Sequence, residues 1–198
     1  MRKFLFILLA ITILLSCEKH KSQQQSDKNG NVIMDTIGNA LSEKNMKSQF
    51  REYLAAFNNG DVDKALSYIY PDLFEYMSKQ YPEEKVSVQT IKDSIFIKHI
   101  KMMKKLNDEK KIKYSYVIGD ISKKTNYKDA KFYIVIASIE TKNGLDVHTF
   151  SDKVIAISIN KGTNWKFIQI DQESPKDAKG IIRMKFPESV INELFAKN

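Results

Sequence analysis

Lys131-Phe132-Tyr133-Ile134-Val135-Ile136-Ala137-Ser138-Ile139-Glu140-Thr141 decides the fold. It is apolar at both parities from Phe132 to Ile139. A strand that alternates buries one face, whereas one apolar at both parities is covered on both and so is central in its sheet. Asn143-Gly144 follows, the pair a tight hairpin turn favours. Asp146 to Asn160 then reads as a long third strand, Lys161-Gly162-Thr163-Asn164 as a second turn, and Trp165 to Asp171 as a fourth strand. Upstream, Ile112 to Ile118 reads as the first strand. Strands joined in succession by tight turns form an antiparallel meander.

From Ser42 to about Asn107 the sequence is helical in period. Met46, Phe50, Tyr53, Leu54 and Phe57 recur at three- and four-residue steps from Ser42 onward, so they share one face. Asn58-Asn59-Gly60 stops that helix, and Asp61 caps the next, which carries Val62, Ala65, Leu66 and Ile69. Asp72 to Met77 predicts a short third helix. Ser87 or Thr90 begins a longer one, to about Asn107, with Ile91, Ile95, Phe96, Ile100, Met103 and Leu106 apolar and Lys98, Lys101, Lys104 and Lys105 largely on the other face. After the fourth strand, Ile181 to Phe186 reads as a short extended piece. Pro187 suits the first turn of a last helix with Val190, Ile191, Leu194 and Phe195 apolar. The class predicted is α+β: N-terminal helices packed on a curved antiparallel sheet of about four strands, with a C-terminal helix.

The start of the chain obeys other rules. Arg2-Lys3 precedes the apolar run Phe4 to Leu15, and the run ends Leu14-Leu15-Ser16-Cys17. About 12 apolar residues make roughly 18 Å of helix, too short to span a bilayer, but they suit the core of a secretory signal. Cys17 is the chain's only cysteine. Residues 17 to 40 read as a tether, because Ser22 to Asn31 has no apolar period and cannot bury a core. Val32-Ile33-Met34 interrupts it. Residues 41 to 198 are left as a single domain.

The 198 residues carry a formal charge of +8, and only Arg2, Arg51 and Arg183 are arginine. Lysine recognises bases and phosphates less well than arginine does, so nucleic acid is not an expected partner. A lysine surplus suits anionic headgroups or wall polymers. It is equally what a lysine-biased composition writes wherever a surface needs charge.

Leu14-Leu15-Ser16-Cys17 resembles the lipobox of bacterial lipoproteins. The resemblance implies cleavage after residue 16, acylation of Cys17 and attachment to a membrane of the cell envelope. In some enterobacteria an Asp after the cysteine retains such proteins at the inner membrane. Glu18 stands there in this chain, which favours the outer membrane. A mature domain without cysteine has neither a disulfide nor thiol chemistry.

A second resemblance covers roughly residues 42 to 171. Phe50-Arg51-Glu52-Tyr53-Leu54-Ala55-Ala56-Phe57-Asn58-Asn59-Gly60-Asp61-Val62-Asp63-Lys64-Ala65-Leu66 is similar to the opening of the nuclear-transport-factor-like cone fold, also called cystatin-like. There an aromatic helix is followed by a Gly-Asp turn and a second helix. Trp165-Lys166-Phe167-Ile168-Gln169-Ile170 resembles its closing strand. The long helix from Ser87 and the segment after Pro175 depart from that pattern. The superfamily holds isomerases, dehydratases, hydrolases, ligand binders and domains without catalysis, so the fold transfers no function by itself.

Candidate residues are therefore taken one by one. Tyr53, Phe57, Tyr68 and Trp165 are the aromatic residues expected to line a pocket, although aromatics at helical spacing are ordinarily core. Tyr70, Phe74 and Tyr76 continue that set. His148 and Asp152 share a face of the third strand but lie roughly 13 Å apart, too far to bond each other. Asp171, with the parity of Trp165, Phe167 and Gln169, is a carboxylate among aromatics whose pKa burial would raise. The ordinary alternative for His148, Asp152 and Asp171 is a solvated strand end. His20, His99 and His148 show no metal-ligand spacing, and no nucleophile elbow or phosphate-binding glycine loop is present. No metal or cofactor is expected. The expected function is a non-enzymatic binding module for a small apolar ligand or a protein partner. The alternatives are a cone-fold isomerase or hydrolase using a buried acid, and a structural spacer in an envelope complex.

Overall fold

The computed structural model describes residues 32–80, 86–109, 113–143, 146–170 and 175–196. Its elements are α1 (Val32–Asn59), α2 (Val62–Tyr68), α3 (Asp72–Lys79), α4 (Val88–Ile91), a π-helical stretch (Lys92–Ile97), α5 (Lys98–Asp108), β1 (Lys113–Tyr127), β2 (Ala130–Asn143), β3 (Asp146–Ser158), β4 (Lys166–Ile170), α6 (Lys176–Arg183) and α7 (Glu188–Leu194). The four strands form one antiparallel sheet in the order β1-β2-β3-β4, so the predicted α+β class and meander hold, with β2 flanked on both sides.

The pleat sorts β2, β3 and β4 onto two faces. Tyr133, Val135, Ala137, Val154, Ala156 and Phe167 face α1, where Met46 and Phe50 cover them and Trp165 closes the end. Phe132, Ile134, Ile155, Ile157, Ile168 and Ile170 face the other way. They are covered by Ala178, Ile181 and Ile182 of α6 and Val190, Ile191 and Leu194 of α7. The sheet is thus a middle layer between helices. The short edge strand β4 is shielded: Tyr70 N–H donates to Phe167 O at 3.1 Å, and Ile69 makes a parallel bridge there.

Helix ends follow the sequence closely. Gly60 takes φ +70, and Asp61 N–H reaches back to Ala56 O at 2.9 Å. Asp61 caps α2 by accepting from Lys64 N–H at 3.2 Å, and Ser87 caps α4 by accepting from Thr90 N–H at 3.0 Å.

Four elements differ from expectation. The first helix starts at Val32 rather than Ser42, so residues 32–40 of the expected tether are helical. The helix beginning after Ser87 contains a π-helical stretch. Ile91 and Ile100, nine residues apart, would sit roughly 180° apart on an unbroken α-helix. The wider turn re-phases the helix, and both are buried, at 1% and 0% exposure. The first strand runs to Tyr127, nine residues past Ile118, through register shifts between Ile118 and Lys123. An edge strand with irregular pairing needs no continuous apolar face, so Lys123, Lys124 and Asn126 sit in it comfortably. Finally, Ile181 to Phe186 is not an extended piece. Residues 176–183 are helical because Ala178, Ile181 and Ile182 form a stripe that the sheet buries, which overrides the strand preference of adjacent isoleucines. The C-terminal helix is therefore a pair.

A polar clamp fixes α1 to the turn between β3 and β4. Asn45 Nδ2 donates to Gly162 O at 2.8 Å and to Thr163 O at 2.6 Å. Gln49 Nε2 donates to Thr163 O at 2.8 Å, while Gln49 Oε1 accepts from Trp165 N–H at 2.9 Å. The indole Nε1–H of Trp165 donates back to Gly162 O at 3.0 Å. Gly162 has φ +87, and a Cβ there would lie 1.9 Å from the Oγ of buried Ser42, so only glycine fits.

Candidate functional site

The α1 face of the sheet changes character along β3 and β4. Near the clamp it is closed: Trp165 is fully buried, its ring centroid 4.8 Å from that of Tyr133. Trp165 therefore belongs to the core. One pleat step along, Phe167 is buried beneath an aromatic group. Phe50 lies 4.8 Å from it, Tyr53 stacks on it at 5.6 Å, and Tyr68 approaches at 6.2 Å. Tyr53 also touches Phe57 and Tyr68, and Phe57 meets His99 of α5 at 5.4 Å. Tyr53, Phe57, Tyr68 and His99 are only partly covered. Of the four expected pocket residues, three thus come together and Trp165 lies deeper.

The electrostatics follow from burial. Desolvation pushes the Tyr53 phenol up to about 12, so it stays protonated at any physiological pH. Tyr68 is also pushed up to about 12, first by burial and then by the Glu52 carboxylate that its hydroxyl bonds at 2.8 Å. That bond, with Lys64 at 3.4 Å, lowers the pKa of Glu52. Burial lowers the pKa of His99, favouring the neutral imidazole.

Further along the same face the strands turn polar. Gln169 follows Phe167 by two residues, and its Nε2 donates to Asp152 Oδ2 at 2.8 Å. Asp152 is half-buried, paired across the sheet with Ala137. Burial raises its pKa, and the Gln169 bond opposes that rise. His148 pairs with Thr141, is exposed, and has its ring 6.3 Å from that of Phe150. Along one strand it does not approach Asp152. Asp171 and Cys17 lie outside the described residues.

Asp72 is the most enclosed carboxylate among the described residues, at 3% exposure. Its Oδ1 accepts from Lys185 Nζ at 2.6 Å, which ties α3 to the C-terminal helices. Tyr70, beside it, has its pKa raised by burial and then by this negative charge. A shallow groove of about 520 Å³ runs past Asp72 between α2, α3 and α4. Among the described residues no group of three or more His, Cys, Asp or Glu could hold a metal, and no helix is long and apolar enough to cross a membrane.

Sequence reasoning missed Phe167, Gln169 and His99 as members of the group. The first two carry a signal, since they alternate on the fourth strand with Trp165 and Asp171. His99 carries none, because only packing brings it to Phe57. The chain gives no significant match to any family model, any curated protein or any solved structure.

Proposed function

We propose that this chain is a lipid-anchored lipoprotein of a bacterial cell envelope, with a cone-like domain that binds a small apolar ligand without catalysing a reaction. The observation that carries the reading is the partly covered group of Tyr53, Phe57 and Tyr68 over Phe167. An aromatic wall with a few oriented polar groups at one end is the usual make-up of a small-molecule site. Gln169 and Asp152 supply that polar end. Binding without turnover is favoured because, among the described residues, the side chain that bonds Asp152 is the neutral amide of Gln169.

The anchor reading rests on Leu14-Leu15-Ser16-Cys17. Metabolic labelling with a fatty acid should mark the chain, and Cys17→Ala should abolish the label. Ligand binding is tested by Trp165, the single tryptophan, which shares a core cluster with Phe167. Titration with long-chain fatty acids and apolar dyes should change its emission saturably, and Tyr53→Ala should remove the response. Absence of any saturable response would overturn the binding reading.

One observation favours a second reading, an isomerase or hydrolase: the raised pKa of Asp152, which suits a general base. Turnover of an apolar ketone or epoxide that disappears in Asp152→Asn would establish it in place of binding.

A further inference from the structure

We infer that the outer face of α5 is a docking surface for an anionic lipid membrane. Lys98, Lys101, Met102 and Lys105 stand at the i, i+3, i+4, i+7 spacing that makes one stripe of a helix, and all four are exposed. Ile100 lies on the opposite side, fully buried against Ala56 and Ala65, so the helix cannot rotate this stripe inward. Met102, along one edge of the stripe, is 47% exposed.

Within α5 the acid lies at the C-terminal end. The only acid within α5 is Asp108, held by Lys104, and Glu109 just beyond is 3.8 Å from Lys105. Among the described residues neither Lys98 nor Lys101 has an acidic partner. The stripe is thus cationic with an apolar edge. Lysine stems can lie along the interface with their ammonium groups among the headgroups, and a thioether can enter between them. A partner protein with an acidic face would satisfy the charges but would leave Met102 against polar groups. The bilayer interface satisfies both. The inference rests on the anchored reading for one thing only, a membrane within reach.

The test uses the full chain with Cys17→Ser, so that a single introduced cysteine can be labelled with an environment-sensitive dye. Met102→Cys places the dye on the stripe. Ile159→Cys, at an exposed site just after β3, is the control. Vesicles are phosphatidylcholine alone or an equimolar mixture with phosphatidylglycerol. The dye at position 102 should shift to an apolar environment on the mixed vesicles only, and the dye at 159 on neither. Replacing Lys98, Lys101 and Lys105 by Glu should weaken the response about a hundredfold or more. The milder change of all three to Gln should give a smaller loss in the same direction. Raised salt should do the same by screening. Equal response on both vesicles, no response at 102, or a response unaffected by the lysines would each overturn the inference. Anchoring is scored separately by fatty-acid labelling of the parent chain at Cys17. Absence of that label counts against anchoring and leaves the dye at 102 to judge the stripe.

Discussion

The two faces of the sheet are made from alternate residues of the same strands, yet they differ in kind. The face under α6 and α7 is mainly aliphatic, and its core residues Phe132, Ile155, Ile157, Ile168, Ile181, Ile182, Ile191 and Leu194 are nearly inaccessible. The face under α1 is aromatic and graded, closed at Trp165 and Tyr133 and half-open at Tyr53, Tyr68 and Asp152. Burial contributes about 25 cal/mol for each Å² of apolar surface, so the first face is arranged for stability. The second leaves part of that gain unused and holds a phenol and a carboxylate where burial shifts both pKa values. One pleated sheet thus carries a closed aliphatic face and a partly open aromatic one.

Four substitutions break or sharpen this contrast. Trp165→Ala, in the closed part of the α1 face, removes the largest buried side chain and one bond of the clamp. It should cost about 3–5 kcal/mol in urea unfolding, and a cost below that of any isoleucine would show that the clamp contributes little. Ile182→Ala on the other face should cost about 2–4 kcal/mol while leaving the affinity of the folded protein for apolar ligands unchanged. Tyr53→Ala should do the reverse, with a smaller stability loss of about 1–2 kcal/mol because the ring is only partly covered, together with loss of apolar binding by fluorescence titration. If Ile182→Ala weakened binding as much as Tyr53→Ala, the division between faces would fail.

Asp152→Asn has the smallest expected effect. The folded-state pKa of Asp152 lies above its unfolded value, so the native state holds the proton more tightly. That contribution is complete below the unfolded pKa of about 3.9 and is lost as pH rises through the folded value. An amide in place of the carboxyl carries no such dependence. The variant should match or slightly exceed the parent at neutral pH, by less than about 1 kcal/mol. The difference should shrink in acid, read as melting temperature against pH. A variant less stable at neutral pH than in acid, relative to the parent, would mean that the Gln169 bond outweighs burial.

The closed face and the site were legible to different degrees. The apolar run at both parities along Phe132–Ile139 and the Asn143-Gly144 pair define β2 and its neighbours, because strand pattern and turn chemistry are local. The helix at 176–183 was hidden because Ile181-Ile182 reads as strand until its covering sheet is known. Gly180 conceals a contact as well, since a Cβ there would lie 2.5 Å from the Tyr76 ring. In the site, Tyr53, Phe57 and Tyr68 stand out by helical spacing. Their meeting with Phe167 depends on how α1 docks, and the residues that fix the docking, Asn45 and Gln49, look like ordinary surface amides.

The clamp also sets when the domain can form. Asn45 and Gln49 are made well before their partners Gly162, Thr163 and Trp165, at sequence separations of 114 to 118. Until then Met46 and Phe50 have no Trp165 or Phe167 to pack on. Contacts so distant along the chain form slowly and late. The growing chain therefore carries α1 without Trp165 and Phe167 until the β3–β4 turn has been made. The face of the sheet under α1 therefore closes only once β4 is in place, however early α1 itself is made.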